Sequence, residues 1–221
     1  MSDHPAPFPS HRIGRAAFLG LAALTTGALL AGRKLPSAGS LLGGGSNVDG
    51  FTIYTIANIP EVDPASFQLH VGGLVDEPRT YSYHDLLAMP AVHETRYFQC
   101  VTGWSVPHPR WTGVRLWDLV AASRPISDAR ALHVRCLDQA YTESLTLDQA
   151  RQADVLLAYG LNGHPLSRDQ GFPLRLVVPG MYGYKFAKWV NHVEVVDRVM
   201  PGYWEQNGYD VNAYIGHSNG V

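Results

Sequence analysis

A chain of 221 residues with 19 acidic and 17 basic side chains has a formal net charge of −2. Once an N-terminal segment is set aside, it is long enough for one domain with a sizeable core. Its Lys and Arg residues are spread thinly along the chain, so nucleic acid finds no electrostatic footprint and that class is excluded. The 22 glycines and 15 prolines punctuate apolar segments without forming a repeat or a low-complexity tract, as in a loop-rich globular fold.

Residues 1–15 are polar and include Arg12 and Arg15; the apolar run Ala16 to Gly32 follows, closed by Arg33 and Lys34. An apolar run of this length between basic flanks reads as an export signal or membrane anchor over residues 1–34. The order Arg12 to Leu19 is similar to a twin-arginine signal without the adjacent arginine pair. A Gly/Ser-rich linker over 35–50 leads into a folded domain over 51–221, and the predicted location is periplasmic or otherwise extracytoplasmic, with residues 16–32 available as a membrane anchor.

Within that domain, Phe51 to Ile56 and Phe67 to Val71 alternate as strands do. Tyr83 to Met89 is a short helix stopped by Pro90, and Val114 to Ala122 is a second one stopped before Pro125. Thr146 and Gln149 have the spacing of a capping box for a third helix through Gln152. Arg96 to Gln99, Ala131 to Cys136, Val155 to Tyr159, Leu174 to Val178 and Trp189 to Val196 complete the strands. Strands outnumber short, scattered helices, which predicts an α+β fold with mixed sheets.

Two cysteines are present, Cys100 and Cys136. In an oxidising compartment such a pair is commonly a structural disulfide, and an exported, non-catalytic binding module built around that bridge is one reading of the chain. The other is that Cys100 faces a bulky group: it opens the loop Val101-Thr102-Gly103-Trp104-Ser105, whose glycine permits close approach, whereas Cys136 falls within an apolar strand. His108 follows this loop and is a candidate for lining a substrate entrance. The ten histidines show no H-x-E or H-E-x-x-H spacing, so a zinc hydrolase has no motif here.

The stretch Arg96 to Ser105 with Trp111-Thr112-Gly113-Val114, and the longer blocks Asp154 to Leu166, Gly171 to Gly180 and Tyr182 to Val190, resemble the bacterial molybdopterin-dependent oxidoreductases of the sulfite oxidase superfamily. The resemblance covers about residues 51–205 and implies that family's α+β fold, with one molybdenum–molybdopterin per chain. It implies Cys100 as catalytic metal ligand, since a soft thiolate suits this centre. It further implies that Arg175, Lys185 and Lys188 hold the pterin phosphate, with the backbone amides of Phe186 and Ala187, and that Gln170, Tyr54 and Thr55 line the pterin. Two-electron oxygen-atom transfer on a small-molecule substrate, a separate membrane or periplasmic electron carrier and a monomeric state follow as expectations. Where sulfite oxidases bring an arginine to the anion, this chain reads Val101-Thr102-Gly103-Trp104-Ser105, which speaks against sulfite. The methionine sulfoxide reductase catalytic subunits are more similar in this loop.

Overall fold

The structure, a computed structural model, describes residues 47–217. The expected signal or anchor and residues 35–46 of the expected linker lie outside the described residues.

Fourteen strands are present among the described residues. They are β1 (Asn47–Val48), β2 (Phe51–Thr52), β3 (Gln68–Gly73), β4 (Arg79–Ser82), β5 (Val92–Thr95), β6 (Phe98–Gln99) and β7 (Ser105–Val106), followed by β8 (Arg110–Arg115), β9 (Ala131–Cys136), β10 (Thr142–Thr146), β11 (Leu156–Leu161), β12 (His164–Pro165), β13 (Arg175–Val177) and β14 (Val190–Val196). Four short helices join them: α1 (Tyr83–Ala88), α2 (Leu116–Ala122), α3 (Leu147–Ala150) and α4 (Tyr203–Gln206), with a 3-10 turn at Gly183–Lys185. The α+β expectation holds.

One five-stranded sheet has the order β10-β9-β14-β3-β4, with β14 and β3 parallel and the other pairs antiparallel. Burial alternates along β3 and the second half of β14, where Leu69, Val71, Val193 and Val195 are at most 1% exposed, the period-2 signature of a half-buried sheet, whereas β9 and β10 carry continuous buried runs. A second sheet runs β12-β11-β8-β5, with β13 paired to β11. Leu156, Leu157 and Ala158 in β11 are all fully buried, so this strand is covered on both faces. The two sheets share one continuous apolar core.

The expected Thr146–Gln149 capping box forms, and a second one, not expected from the sequence, forms at Ser82. Ser82 accepts from Asp85 N–H ahead of α1, and Thr146 accepts from Gln149 N–H ahead of α3, satisfying backbone donors that a helix start leaves free. The second helix starts at Leu116 rather than Val114, because Val114 and Arg115 pair with Leu157 and Leu156 and complete β8. Two short ribbons, β1–β2 and β6–β7, stand beside the second sheet. The β6–β7 ribbon carries Cys100 at its tip, and it is this ribbon, the turn after β13 and the segment after α4 that assemble the site.

Candidate active site

Cys100 opens a tight turn: its N–H donates to the Trp104 carbonyl at 2.9 Å, and its own carbonyl accepts from Gly103 N–H at 3.0 Å. Gly103 closes the turn at φ 102°, a left-handed conformation that favours glycine. The Cys100 sulfur is half-buried, unpaired and 3.1 Å from the Thr102 hydroxyl oxygen. Cys136 is buried on β9 and is also unpaired; burial pushes its thiol well above the ordinary range. With both cysteines free, the Cys100–Cys136 disulfide expectation falls. Among the described residues no three His, Cys, Asp or Glu side chains gather where they could hold a metal by themselves, so a metal on Cys100 must bring further ligands with it.

Behind the Cys100 turn, Phe98 packs edge-on against Phe51 and Phe186, at 4.9 and 5.1 Å between ring centroids, and lies 5.2 Å from Trp104. Arg175 is buried within this aromatic wall, its guanidinium 5.5–6.0 Å from the rings of Phe51, Phe98, Trp111 and Phe186. One of its nitrogens donates to the Gln170 carbonyl at 3.0 Å, while Nε has no partner. Burial lowers its pKa to about 10, with only the buried phenol of Tyr141 acting against that shift. Lys188 sits beside it, since the two residues form a backbone bridge. The Lys188 ammonium donates to the Tyr54 carbonyl at 2.7 Å, and burial, helped by the Arg175 charge, lowers its pKa to about 7. A Cβ on Gly171 would lie 3.0 Å from the Lys188 side chain, so the glycine is what lets Lys188 pass.

Two enclosed cations repel each other, and burying them without an anion is costly. That arrangement fits a phosphate-bearing ligand. Trp104 Nε1, in the Cys100 turn, is a second buried donor without a partner, and its indole stacks on Tyr54, which is 41% exposed. The residues present therefore fit a group that carries phosphate and further acceptors into the space beside Cys100.

The other expected residues separate into two groups. Tyr54 lies along this wall through its Trp104 and Lys188 contacts, Thr55 beside it in sequence is half-buried, and the Gln170 side chain accepts from Ser167 N–H and donates to Asp49 at 2.8 Å. Lys185 is turned away: its ammonium donates to Glu143, Ser144 O and Glu205. Three acceptors use its three donors, which corrects the expectation that it joins the phosphate cations. The amides of Phe186 and Ala187 donate to Gly183 O and Lys185 O, since buried backbone donors must be satisfied; they are not free to cradle a phosphate. His108 is exposed.

Tyr209, which sequence reasoning passed over, lies near the Cys100 turn. Its half-buried phenol feels the Cys100 charge, and burial first, then that charge, raises its pKa. It packs on Tyr184 at 5.2 Å and on Trp204 at 5.4 Å.

Residues 56–204 match the oxidoreductase molybdopterin binding domain family. The chain belongs to that family. It is 37% identical over 147 residues to the uncharacterized oxidoreductase YuiH of Bacillus subtilis, covering 66% of this chain and 74% of that one. It is 35% identical over 156 residues to the protein-methionine-sulfoxide reductase catalytic subunit MsrP of Ralstonia nicotianae, covering 64% and 47%, and 32% identical over 182 residues to mouse mitochondrial sulfite oxidase, covering 68% and 33%. The chain thus spans three quarters of the first relative, but half or less of the other two. The sulfane dehydrogenase SoxCD of Paracoccus pantotrophus superimposes with a TM-score of 0.63 at 24% identity, over 67% of this chain and 43% of that one, which supports the fold alone. The molybdopterin-binding domain is thus an oxidoreductase domain of the sulfite oxidase superfamily, and its cofactor is molybdenum–molybdopterin. Among the described residues no helix is long and apolar enough to cross a membrane.

Proposed function

We propose that the domain carries out two-electron oxygen-atom transfer on a small, uncharged substrate at a molybdenum ligated by Cys100. The observation that carries this reading is a pair of buried donors without partners, Arg175 Nε and Trp104 Nε1, together with the enclosed ammonium of Lys188, the residue bridged to Arg175, and one free, half-buried thiol at the start of the Trp104 turn. When bound, the molybdenum–molybdopterin supplies the redox chemistry. The protein's part is to bind and to orient. Arg175 and Lys188 hold the phosphate; Trp104, Tyr54 and Thr55 flank the pterin; Gln170 fixes Arg175 through its carbonyl. Cys100 offers the soft sulfur, and the Thr102 hydroxyl beside it restrains that sulfur. Tyr209, kept protonated at neutral pH, holds a hydrogen-bond donor on the Cys100 side for a substrate oxygen.

Electrons then pass to or from a separate carrier. The β1–β2 ribbon, the first described element after the linker, packs with Gly50 facing Val106 of β7, next to the Cys100 turn. The layout of signal or anchor, linker and catalytic unit read from the sequence favours a membrane or periplasmic carrier.

The test is metal and pterin analysis of protein made in a molybdopterin-competent host, with dimethyl sulfoxide reduction by reduced benzyl viologen as the assay. One molybdenum and one pterin per chain, with turnover lost in Cys100→Ser, is the expected result. Metal-free protein, or Cys100→Ser with full activity, would contradict the proposal.

A further inference from the structure

Lys185 lies beneath the site in a trio that the phosphate reading leaves unexplained. Its ammonium is 2.8 Å from Glu143 Oε1 and 2.7 Å from Ser144 O, and it also contacts Glu205 Oε1. The three charged side chains are at most 2% exposed. Each comes from a different element: Glu143 from β10, Lys185 from the end of the 3-10 turn, Glu205 from α4.

One cation facing two carboxylates leaves a buried negative charge if both are ionised. Among the described residues, no other charge nearby cancels it. The other groups are the buried phenols of Tyr141 and Tyr184 and the Cys136 thiol, all of which burial keeps neutral, while Arg175 acts only from beyond Tyr141. Binding one proton costs less than burying an uncompensated charge. Each carboxyl also accepts a backbone N–H, Glu205 from Gly202 and Glu143 from Ser144. Glu143 takes up that proton, its pKa pushed up to about 8 by burial and by the Glu205 charge, against the pull of Lys185.

The trio joins the two walls of the site. On one side, Gly183 at the start of the turn lies against Phe98, where a Cβ would sit 2.3 Å from the ring, and Tyr182 bridges Gln99, the neighbour of Cys100. On the other side, Glu205 follows Trp204, whose ring packs on Tyr209. We propose that Glu143, Lys185 and Glu205 form a proton-loaded clamp that positions Tyr209 against the Cys100 turn, and that losing the proton in alkali loosens both walls together. The effect on turnover rests on the function proposed for Cys100; the proton itself does not.

The test uses full-length holoenzyme carrying 5-fluorotryptophan, with the Trp204 resonance assigned through Trp204→Phe, compared with Glu143→Gln between pH 6 and 9.5. Glutamine copies the shape of the protonated acid and cannot ionise. In the parent, the protonated-to-ionised ratio of the clamp falls from about 10 at pH 7 to about 0.1 at pH 9. The Trp204 resonance and the KM for dimethyl sulfoxide should therefore move together with a midpoint near pH 8, KM rising several-fold while kcat changes less. In Glu143→Gln both should stay flat at the parent's acid-side values. A Trp204 titration that survives in Glu143→Gln overturns the clamp. Its loss with an unchanged KM profile overturns the positioning role. In protein found free of molybdenum the function reading fails, and the fluorine titration alone decides the clamp.

Discussion

Arg175 is a buried cation without a counter-ion, so replacing it separates stability from cofactor binding. Its pKa, lowered from 12.5 to about 10, corresponds to about 3 kcal/mol of unfavourable burial at about 1.4 kcal/mol per pH unit. Arg175→Met keeps much of the packing among Phe51, Phe98, Trp111 and Phe186 and removes that penalty. It also strips the Gln170 carbonyl of its donor, which costs about 1–3 kcal/mol. The two terms nearly cancel. Cofactor-free Arg175→Met is expected to unfold in urea within about 1–2 kcal/mol of the parent, whereas breaking an ordinary buried ion pair costs about 3–5 kcal/mol. The same variant, expressed with the cofactor pathway present, is expected to retain little pterin. A cofactor-free variant destabilised by the larger amount, or one that keeps its full pterin complement, would refute the view that this cation awaits an external anion.

Lys188 gives a pH signature in the cofactor-free protein. With its folded pKa lowered from 10.5 to about 7, the unfolded chain binds the extra proton between those values, so this group makes stability rise with pH across that window. Urea midpoints at pH 7 and 9.5 should show a larger rise in the parent than in Lys188→Met, and equal changes would count against the enclosed ammonium. Gly183→Ala forces a methyl to within 2.3 Å of the Phe98 ring; overpacking of this kind costs about 1–3 kcal/mol, and because Phe98 backs the Cys100 turn, pterin retention should fall with it. An alanine variant that matches the parent in thermal midpoint and pterin content would mean that this contact is slack.

Several elements were legible because local and tertiary signals agree. Ala131–Cys136 forms β9 where alternation and β-branching put it, and Thr146 caps α3 through Gln149. The errors have physical causes. Val114 and Arg115 have helical spacing with Leu116 to Ala122, but pairing with β11 draws them into β8. Thr142–Thr146 reads as too polar for a covered strand, because the partner that satisfies Glu143 is Lys185, 42 residues away in sequence.

The site was half legible for the same reason. Cys100, Arg175 and Lys188 sit in blocks whose residue types declare them. Lys185 and Lys188 look equivalent along the chain, yet the 3-10 turn ends at Phe186, with φ −86° and ψ 66°, and the two ammonium groups meet different partners, Glu143 and Glu205 for Lys185 and the Tyr54 carbonyl for Lys188. Tyr209 comes near enough to feel the Cys100 charge only after α4 and its following turn have folded back, a proximity that no local pattern encodes.

The central claim is that Cys100 binds the molybdenum through sulfur while Cys136 does not. Molybdenum-edge X-ray absorption on the purified parent, Cys100→Ser and Cys136→Ser measures this directly by counting sulfur neighbours of the metal. The account predicts one sulfur fewer in Cys100→Ser and an unchanged count in Cys136→Ser. An identical sulfur shell in all three proteins would contradict it.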